Sequence, residues 1–302
     1  MKPLRLITYS ALALALAACS EEAPPPAVQG YAVEEKSISQ LSDDLASGKT
    51  TALEITKAYM GRIEEYDDTL HSVIEIAPDA IQQAEESDAR RKAGETLGPL
   101  DGIPILFKDN IDAVGMPTTA GSYALEANVP ERDSEVVRRL RAAGAIIFGK
   151  ANLSQFAGWR PTGVMNSSTV GGEALNPYDL TRSPGGSSSG GGVSTAASLA
   201  AGNVGSDTTG SIIGPSSYNG IVGLRPTIAL ISRRGIVPIS QVMDTAGPMT
   251  RTVRDAAMML TAMAGTDPED SWTEDADEHV TDYVAALSTD ALRGKQLGVI
   301  RD

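Results

Sequence analysis

The segment Ser183-Pro-Gly-Gly-Ser-Ser-Ser-Gly-Gly-Gly192 constrains this chain more than any other. Ten residues without a large apolar side chain bury no core of their own, and on composition alone they read as a flexible linker. Two neighbouring features oppose that reading. The segment runs directly into Val193 to Ala201, an Ala-rich stretch suited to a tightly packed helix, so no domain boundary falls here. A second Gly/Ser/Thr segment then follows at Gly205-Ser-Asp-Thr-Thr-Gly-Ser-Ile212, bounded by apolar residues. Glycines let the backbone approach a reacting group closely and leave N–H groups free to face an anion. Two such turns flanking one short helix point to a site rather than a tether.

The surrounding chain supplies a scaffold for that site. From about residue 37 helix and strand signals alternate. Thr51-Ala-Leu-Glu54 fits a capping box, and Leu53, Tyr59, Met60 and Ile63 give the next helix an apolar stripe. Ala80 to Lys92 is a second helix, polar on most faces. Ile103 to Phe107 reads as a buried strand, Asp133 or Ser134 caps a helix that Gly144 ends, and Ala145 to Phe148 reads as another strand. Such alternation argues for α/β layers around a mainly parallel sheet. With 302 residues, 41% apolar and 21% charged, the chain is long enough and apolar enough for a large core. Disorder, collagen, coiled coil and a multi-span membrane protein are excluded at this level. The net charge of −14 repels polyanions, so nucleic acid is not an expected partner. One cysteine and two histidines, His71 and His279, exclude a disulfide within the chain and leave little for a metal site, and no cofactor is expected.

The N-terminus has its own logic. Lys2 and Arg5 precede an apolar run of residues 6–18, too short to span a bilayer and long enough for a signal-peptide core. Leu16-Ala17-Ala18-Cys19 is similar to a bacterial lipobox, which implies cleavage after residue 18 and lipidation of Cys19, the chain's only cysteine. The plainer alternative is a secretory signal with an incidental cysteine. Ser20 after Cys19 suggests the periplasmic face of the outer membrane. Residues 19–36, with three consecutive prolines, read as a tether, and residues 37–302 as the folded domain.

Three chemistries compete for the Gly/Ser segments. Gly186-Ser-Ser-Ser-Gly190 satisfies G-x-S-x-G, with Ser188 as nucleophile, but no strand precedes it. That elbow also needs a later histidine, and only His279 qualifies, in the acidic run Glu274-Asp-Ala-Asp-Glu278. A phosphate loop lacks its G-K-[ST]. The third reading uses Lys108, at the end of the Ile103–Phe107 strand. With its stem in the core and its amine at the sheet end, burial lowers its pKa toward what a general base requires. The bland alternative is a surface lysine paired with Asp109.

At this point the residues resemble the amidase signature family of Ser-Ser-Lys hydrolases. Gly98-Pro-Leu-Asp-Gly-Ile-Pro-Ile-Leu-Phe-Lys-Asp-Asn-Ile-Asp112, Ser183 to Gly190 and Gly205 to Ile212 look like its three blocks, in order. Gly144 to Leu153 and Gly220-Ile-Val-Gly-Leu-Arg-Pro-Thr227 add two further matches. The resemblance covers about residues 37–302 and implies a mixed, largely parallel central sheet covered by helices on both faces. It implies Ser211 as nucleophile, Ser187 as bridging serine, with a cis peptide at that residue, and Lys108 as base. The backbone N–H groups of Thr208, Thr209, Gly210 and Ser211 would form the oxyanion hole, each donor worth about 3 kcal/mol in the transition state. Ser189 and Ser206 match supporting hydroxyls around the lysine and serines, and are equally read as turn hydroxyls bonded to their own backbone.

The sequence departs from the usual pattern in two places. Thr209-Gly210-Ser211 stands for Gly-Gly-Ser, and Ile213 for an arginine two residues past the nucleophile. Both replacements, with Asn176 to Pro184 and Asp244-Thr-Ala-Gly-Pro248, look more like peptide amidases, which remove the C-terminal amide of peptides. The aminoacyl-tRNA amidotransferase branch fits poorly with export. Rival expectations are an incomplete, non-catalytic member and a Ser188/His279 esterase. Family members run much further than 302 residues, and a strand begins where the chain stops at Leu297-Gly-Val-Ile-Arg-Asp302. The resemblance therefore implies the catalytic N-terminal part of a longer amidase.

Overall fold

A computed structural model describes residues 30–159 and 165–298. The signal sequence, Cys19 and residues 299–302 of the expected last strand lie outside the described residues. The folded unit begins at Tyr31 rather than at residue 37. Val33 is buried in the main core, and Tyr31 Oη donates to Asp44 at 2.5 Å.

In chain order come α1 (Ile38–Ala46), α2 (Ala52–Leu70), β1 (Val73–Ile76), α3 (Ala80–Ala93), β2 (Pro104–Lys108), α4 (Glu135–Ala142) and β3 (Ile146–Ala151). A two-stranded hairpin, β4 (Ser167–Ser168) and β5 (Gly172–Glu173), precedes α5 (Ser189–Ala196), β6 (Gly202–Asp207) and α6 (Ile213–Tyr218). Then follow β7 (Val222–Gly223), β8 (Thr245–Thr250) and α7 (Val253–Met263). Side chains set several of these starts. Ser37 and Thr51 each accept from the backbone N–H three residues on, while Gln40 and Glu54 reach back to complete capping boxes. Ser134, not Asp133, caps α4; Asp133 instead accepts from Arg141 and from the Val114 N–H.

Six strands form one sheet in the order β1-β3-β2-β6-β8-β7. Its centre, β3-β2-β6, is parallel, and β1, β8 and β7 pair antiparallel on either side. All residues of β2, β3, β6 and β8 are buried, which places both faces of the central sheet under cover. Neighbouring residues of β6 show what covers each face, because strand side chains alternate. A Cβ on Gly202 would meet Ile38 of α1 and Met259 of α7. The next residue, Asn203, faces α5, where a Cβ on Gly191 would meet its Oδ1 at 2.9 Å. Helices therefore lie on both faces. The principal core joins Leu41, Tyr59, Phe107, Phe148 and Met259.

The Gly-rich run differs from the expectation. Residues 189–192, read as a turn before a Val193–Ala201 helix, are the first turn of α5, which ends at Ala196. A Cβ on Gly190 would lie 2.3 Å from the Ser72 carbonyl oxygen and 2.5 Å from the Asn152 nitrogen. The glycines are required by close approach of the helix to neighbouring backbone at Gly190 and to Asn203 and Asn219 at Gly191 and Gly192, which overrides their poor helix propensity. The second segment is likewise only half a turn, since Gly205 to Asp207 complete β6.

Candidate active site

Strand β2 ends at Lys108 and strand β6 at Asp207, side by side in the parallel centre of the sheet. Lys108 is 1% exposed. Its Nζ donates to Ser187 Oγ at 2.7 Å, to Ser206 Oγ at 3.0 Å and to the Ser206 carbonyl oxygen at 3.3 Å. Burial lowers its pKa to about 7, against the opposing pull of Asp207 and Asp244. Near neutral pH the amine is thus divided between its charged and neutral forms. Asp109 is not its partner. Successive residues of a strand end face opposite ways, and Asp109 turns to Lys150, with Nζ 3.6 Å from Oδ1.

Ser187 sits in the turn entering α5. The Gly186–Ser187 peptide is cis, as the resemblance implied, and the Ser187 carbonyl accepts from the Ser154 N–H at 2.9 Å. Ser188 is fully buried and donates to the Ser206 carbonyl at 3.2 Å, so its hydroxyl is engaged away from any histidine. His279 is exposed and lines a different cavity with Ile228, Trp272 and Tyr283. The Ser188/His279 arrangement is not assembled. Ser189 is also buried, but among the described residues its hydroxyl has no hydrogen-bond partner, and it does not bond the lysine. Ser206 does: its Oγ receives both Lys108 and Asn110 Nδ2, the latter at 2.9 Å.

The loop after β6 carries Ser211, half-buried, whose hydroxyl makes no hydrogen bond with a described residue. Its backbone carbonyl accepts from the Ser188 N–H at 3.2 Å, which ties the two serine segments together. Asp207 organises this loop. Its carboxylate accepts from the N–H groups of Gly210 and Ile212, both at 2.7 Å, and pairs with Arg225 at 3.0 Å. The Gly210 N–H is therefore committed to a buried carboxylate that needs donors, which removes it from the expected oxyanion set. The N–H groups of Thr208, Thr209 and Ser211 make no bond within the described residues.

A cavity of about 420 Å³ opens beside this centre. Asn110, Ser206 and Thr208 line it on the side of this centre, and Ile236, Val237, Pro238 and Ile239 supply an apolar stretch of its wall. Its two cations are already paired, Arg233 with Asp270 and Arg234 with Glu135 and Asp267. Asn110, Asp207 and Asp244 join the site without having been singled out in sequence. All three stand within the quoted motifs, and the alternation of side chains at the ends of β2 and β6 is the signal that could have found the first two. Among the described residues no cluster of His, Cys, Asp and Glu is arranged to hold a metal ion.

A family model for amidases matches residues 54–302. The chain is 47% identical to the native peptide amidase of Stenotrophomonas maltophilia, with a TM-score of 0.85 over 87% of this chain and 55% of that one. It is 41% identical to a probable amidase of Arabidopsis thaliana over 89% of this chain and 54% of the relative. A glutamyl-tRNA(Gln) amidotransferase subunit of Gloeobacter violaceus is 42% identical over 88% of this chain and 53% of its own length. The chain spans about half the length of these relatives.

Proposed function

The chain belongs to the amidase family, and on that footing we propose that it hydrolyses carboxylic amides through Ser211, Ser187 and Lys108. The observation that carries the proposal is the 2.7 Å hydrogen bond between the buried Lys108 amine and Ser187 Oγ. Neutral Lys108 takes the Ser187 hydroxyl proton while Ser187 takes that of Ser211. Ser211 Oγ then forms a bond to the substrate's carbonyl carbon. The C–N bond breaks as the proton returns through Ser187 to the departing nitrogen, which leaves as ammonia or an amine. Water, deprotonated along the same path, hydrolyses the acyl-enzyme and regenerates the Ser211 hydroxyl. The N–H groups of Thr208, Thr209 and Ser211, unbonded among the described residues, would receive the oxyanion.

The substrate class we infer is a peptide carrying a C-terminal amide. The likeness to a peptide amidase supports this, as does a cavity with an apolar wall and no spare cation for a free carboxylate. Residues 1–18 are read as an export signal and Cys19 as a lipid anchor holding the protein at the periplasmic face of the outer membrane. Lys2, Arg5 and the Leu16–Cys19 sequence support that reading. Fatty-acid labelling that survives Cys19→Ser would refute the anchor.

Intact mass after incubation with a fluorophosphonate, followed by peptide mapping, tests the chemistry. The expected result is one adduct on Ser211, abolished in Ser211→Ala and in Lys108→Ala. An adduct on Ser188 sinks the assignment, and no adduct at all favours the incomplete, non-catalytic member.

A further inference from the structure

Among the described residues, Asp244 is the one carboxylate that touches both the cavity wall and the nucleophile loop. One of its oxygens accepts from Thr208 Oγ1 at 2.6 Å. The other accepts from the backbone N–H groups of Ile239 and Ser240, at 2.7 and 2.9 Å. Ile239 and Ser240 belong to the wall of the cavity, and Thr208 carries one of the free backbone donors beside Ser211. At its other end the same wall is anchored to the base. The Val237 N–H donates to the Asn110 carbonyl at 2.8 Å, and Asn110 Nδ2 holds the Ser206 hydroxyl that receives Lys108. The segment from Val237 to Ser240 is thus strung between the strand end that bears Lys108 and the loop that bears Ser211.

We propose that Asp244 is a positioning residue for catalysis. It joins the substrate-facing wall to the nucleophile loop, so that a substrate packed on Ile236–Ile239 fixes the backbone donors at Thr208. This rests on Ser211 being the nucleophile. Binding energy gained on the wall is then used where the tetrahedral centre forms, which appears as a change in kcat and not in KM alone. The carboxylate has a second effect. The charged groups acting on Lys108 are Asp207, at the end of β6, and Asp244, just ahead of β8, and both favour the protonated amine. Removing either charge moves the Lys108 titration to lower pH.

Two variants of the full chain separate these effects, each read by the rate of Ser211 labelling with a fluorophosphonate and by turnover of a peptide amide across pH. Asp244→Asn removes the charge and leaves one carboxamide oxygen where three donors converge. Labelling is expected to slow about tenfold, kcat to fall with KM changed less than about threefold, and the acid limb to move down by about half a pH unit. Thr208→Val breaks the bridge without altering charge, so labelling slows and the acid limb stays in place. A wild-type rate and acid limb in Asp244→Asn overturn the proposal, as does a wild-type labelling rate in Thr208→Val. If Asp244→Asn does not fold, Thr208→Val decides alone. A wild-type enzyme unlabelled at Ser211 overturns the reaction itself, which keeps that failure distinct from failure of the bridge.

Discussion

Two fully buried lysines stand on adjacent strands of this sheet and are treated in opposite ways. Lys108 ends β2, and Lys150 lies in β3, one residue before Ala151, the register partner of Lys108. Burial lowers the pKa of both. Lys150 is compensated: its amine donates to the Ile111 carbonyl at 2.6 Å and to Thr118 Oγ1 at 3.0 Å, with the Asp109 carboxylate at 3.6 Å. Asp109 is itself held by the Thr119 hydroxyl and the Gly121 N–H. Among the described residues Lys108 hydrogen-bonds only neutral oxygens, two serine hydroxyls and one carbonyl. The carboxylates that act on it, Asp207 and Asp244, are occupied with backbone N–H groups, Arg225 and Thr208. A buried amine with a carboxylate beside it has a partner for its charge. One surrounded by hydroxyls is left free to give and take a proton.

Exchanging each lysine for methionine breaks the comparison most sharply. Lys108→Met is expected to lower peptide-amide turnover about 1,000-fold, the usual scale of a lost general base, while thermal unfolding shows a fold at least as stable. Lys150→Met is expected to do the reverse. It strands Asp109 in the core, and urea unfolding should report a loss of about 3–5 kcal/mol, with turnover per folded molecule retained. If both variants unfold alike, or if Lys108→Met retains its turnover, the two lysines are not different in kind.

The pH dependence sharpens the same contrast. On the proposed mechanism the neutral form of Lys108 is the base, so turnover should rise with pH through about 7. Stability has a matching sign. Between about 7 and the ordinary lysine value near 10.4 the unfolded chain holds a proton that the folded Lys108 does not, so raising pH across this window favours the fold. Unfolding temperatures at pH 7 and pH 9 check this: wild type should gain more on going to pH 9 than Lys108→Met does. An equal gain in both would place the titration elsewhere.

Much of this was legible in the sequence, and the exceptions share a cause. Lys108 at a strand end, the Thr51 capping box and the order of elements follow from local pattern and were readable. The Gly190–Gly192 turn of α5 was not, because glycine's local preference opposes a helix and only its close neighbours explain the choice: the Ser72 and Asn152 backbone at Gly190, Asn203 at Gly191, and Asn219 with Pro215 at Gly192. Strand β6, Gly202 to Asp207, was hidden for the same reason. Its small residues make room for α5 on one face and for α1 and α7 on the other, which erases the apolar run expected of a central strand. The roles of Asp109 and Lys150 depended on a contact across strands. At the site itself, Lys108, Ser187 and Ser206 converge as their motifs suggested, whereas Ser189 does not, since its position in α5 turns the hydroxyl away from any partner.

The smallest expected effect compares one chemical change at two places. Ser206→Ala and Thr118→Val each remove a single hydroxyl acceptor, at 3.0 Å from a buried lysine amine in both cases. Beside Lys150 the carbonyl of Ile111 and the Asp109 carboxylate remain, so Thr118→Val should cost about 1 kcal/mol of stability and leave turnover per folded molecule unchanged. Beside Lys108 the loss frees Asn110 Nδ2 as well and leaves the amine on Ser187 and one carbonyl. Ser206→Ala should then lower kcat about tenfold through misplacement of the base, at a similar stability cost. Paired urea titrations and kcat measurements check both variants. If turnover per folded molecule falls equally in the two, the hydroxyls around Lys108 serve only to keep a buried charge solvated, and the distinction between the lysines rests on the carboxylate alone.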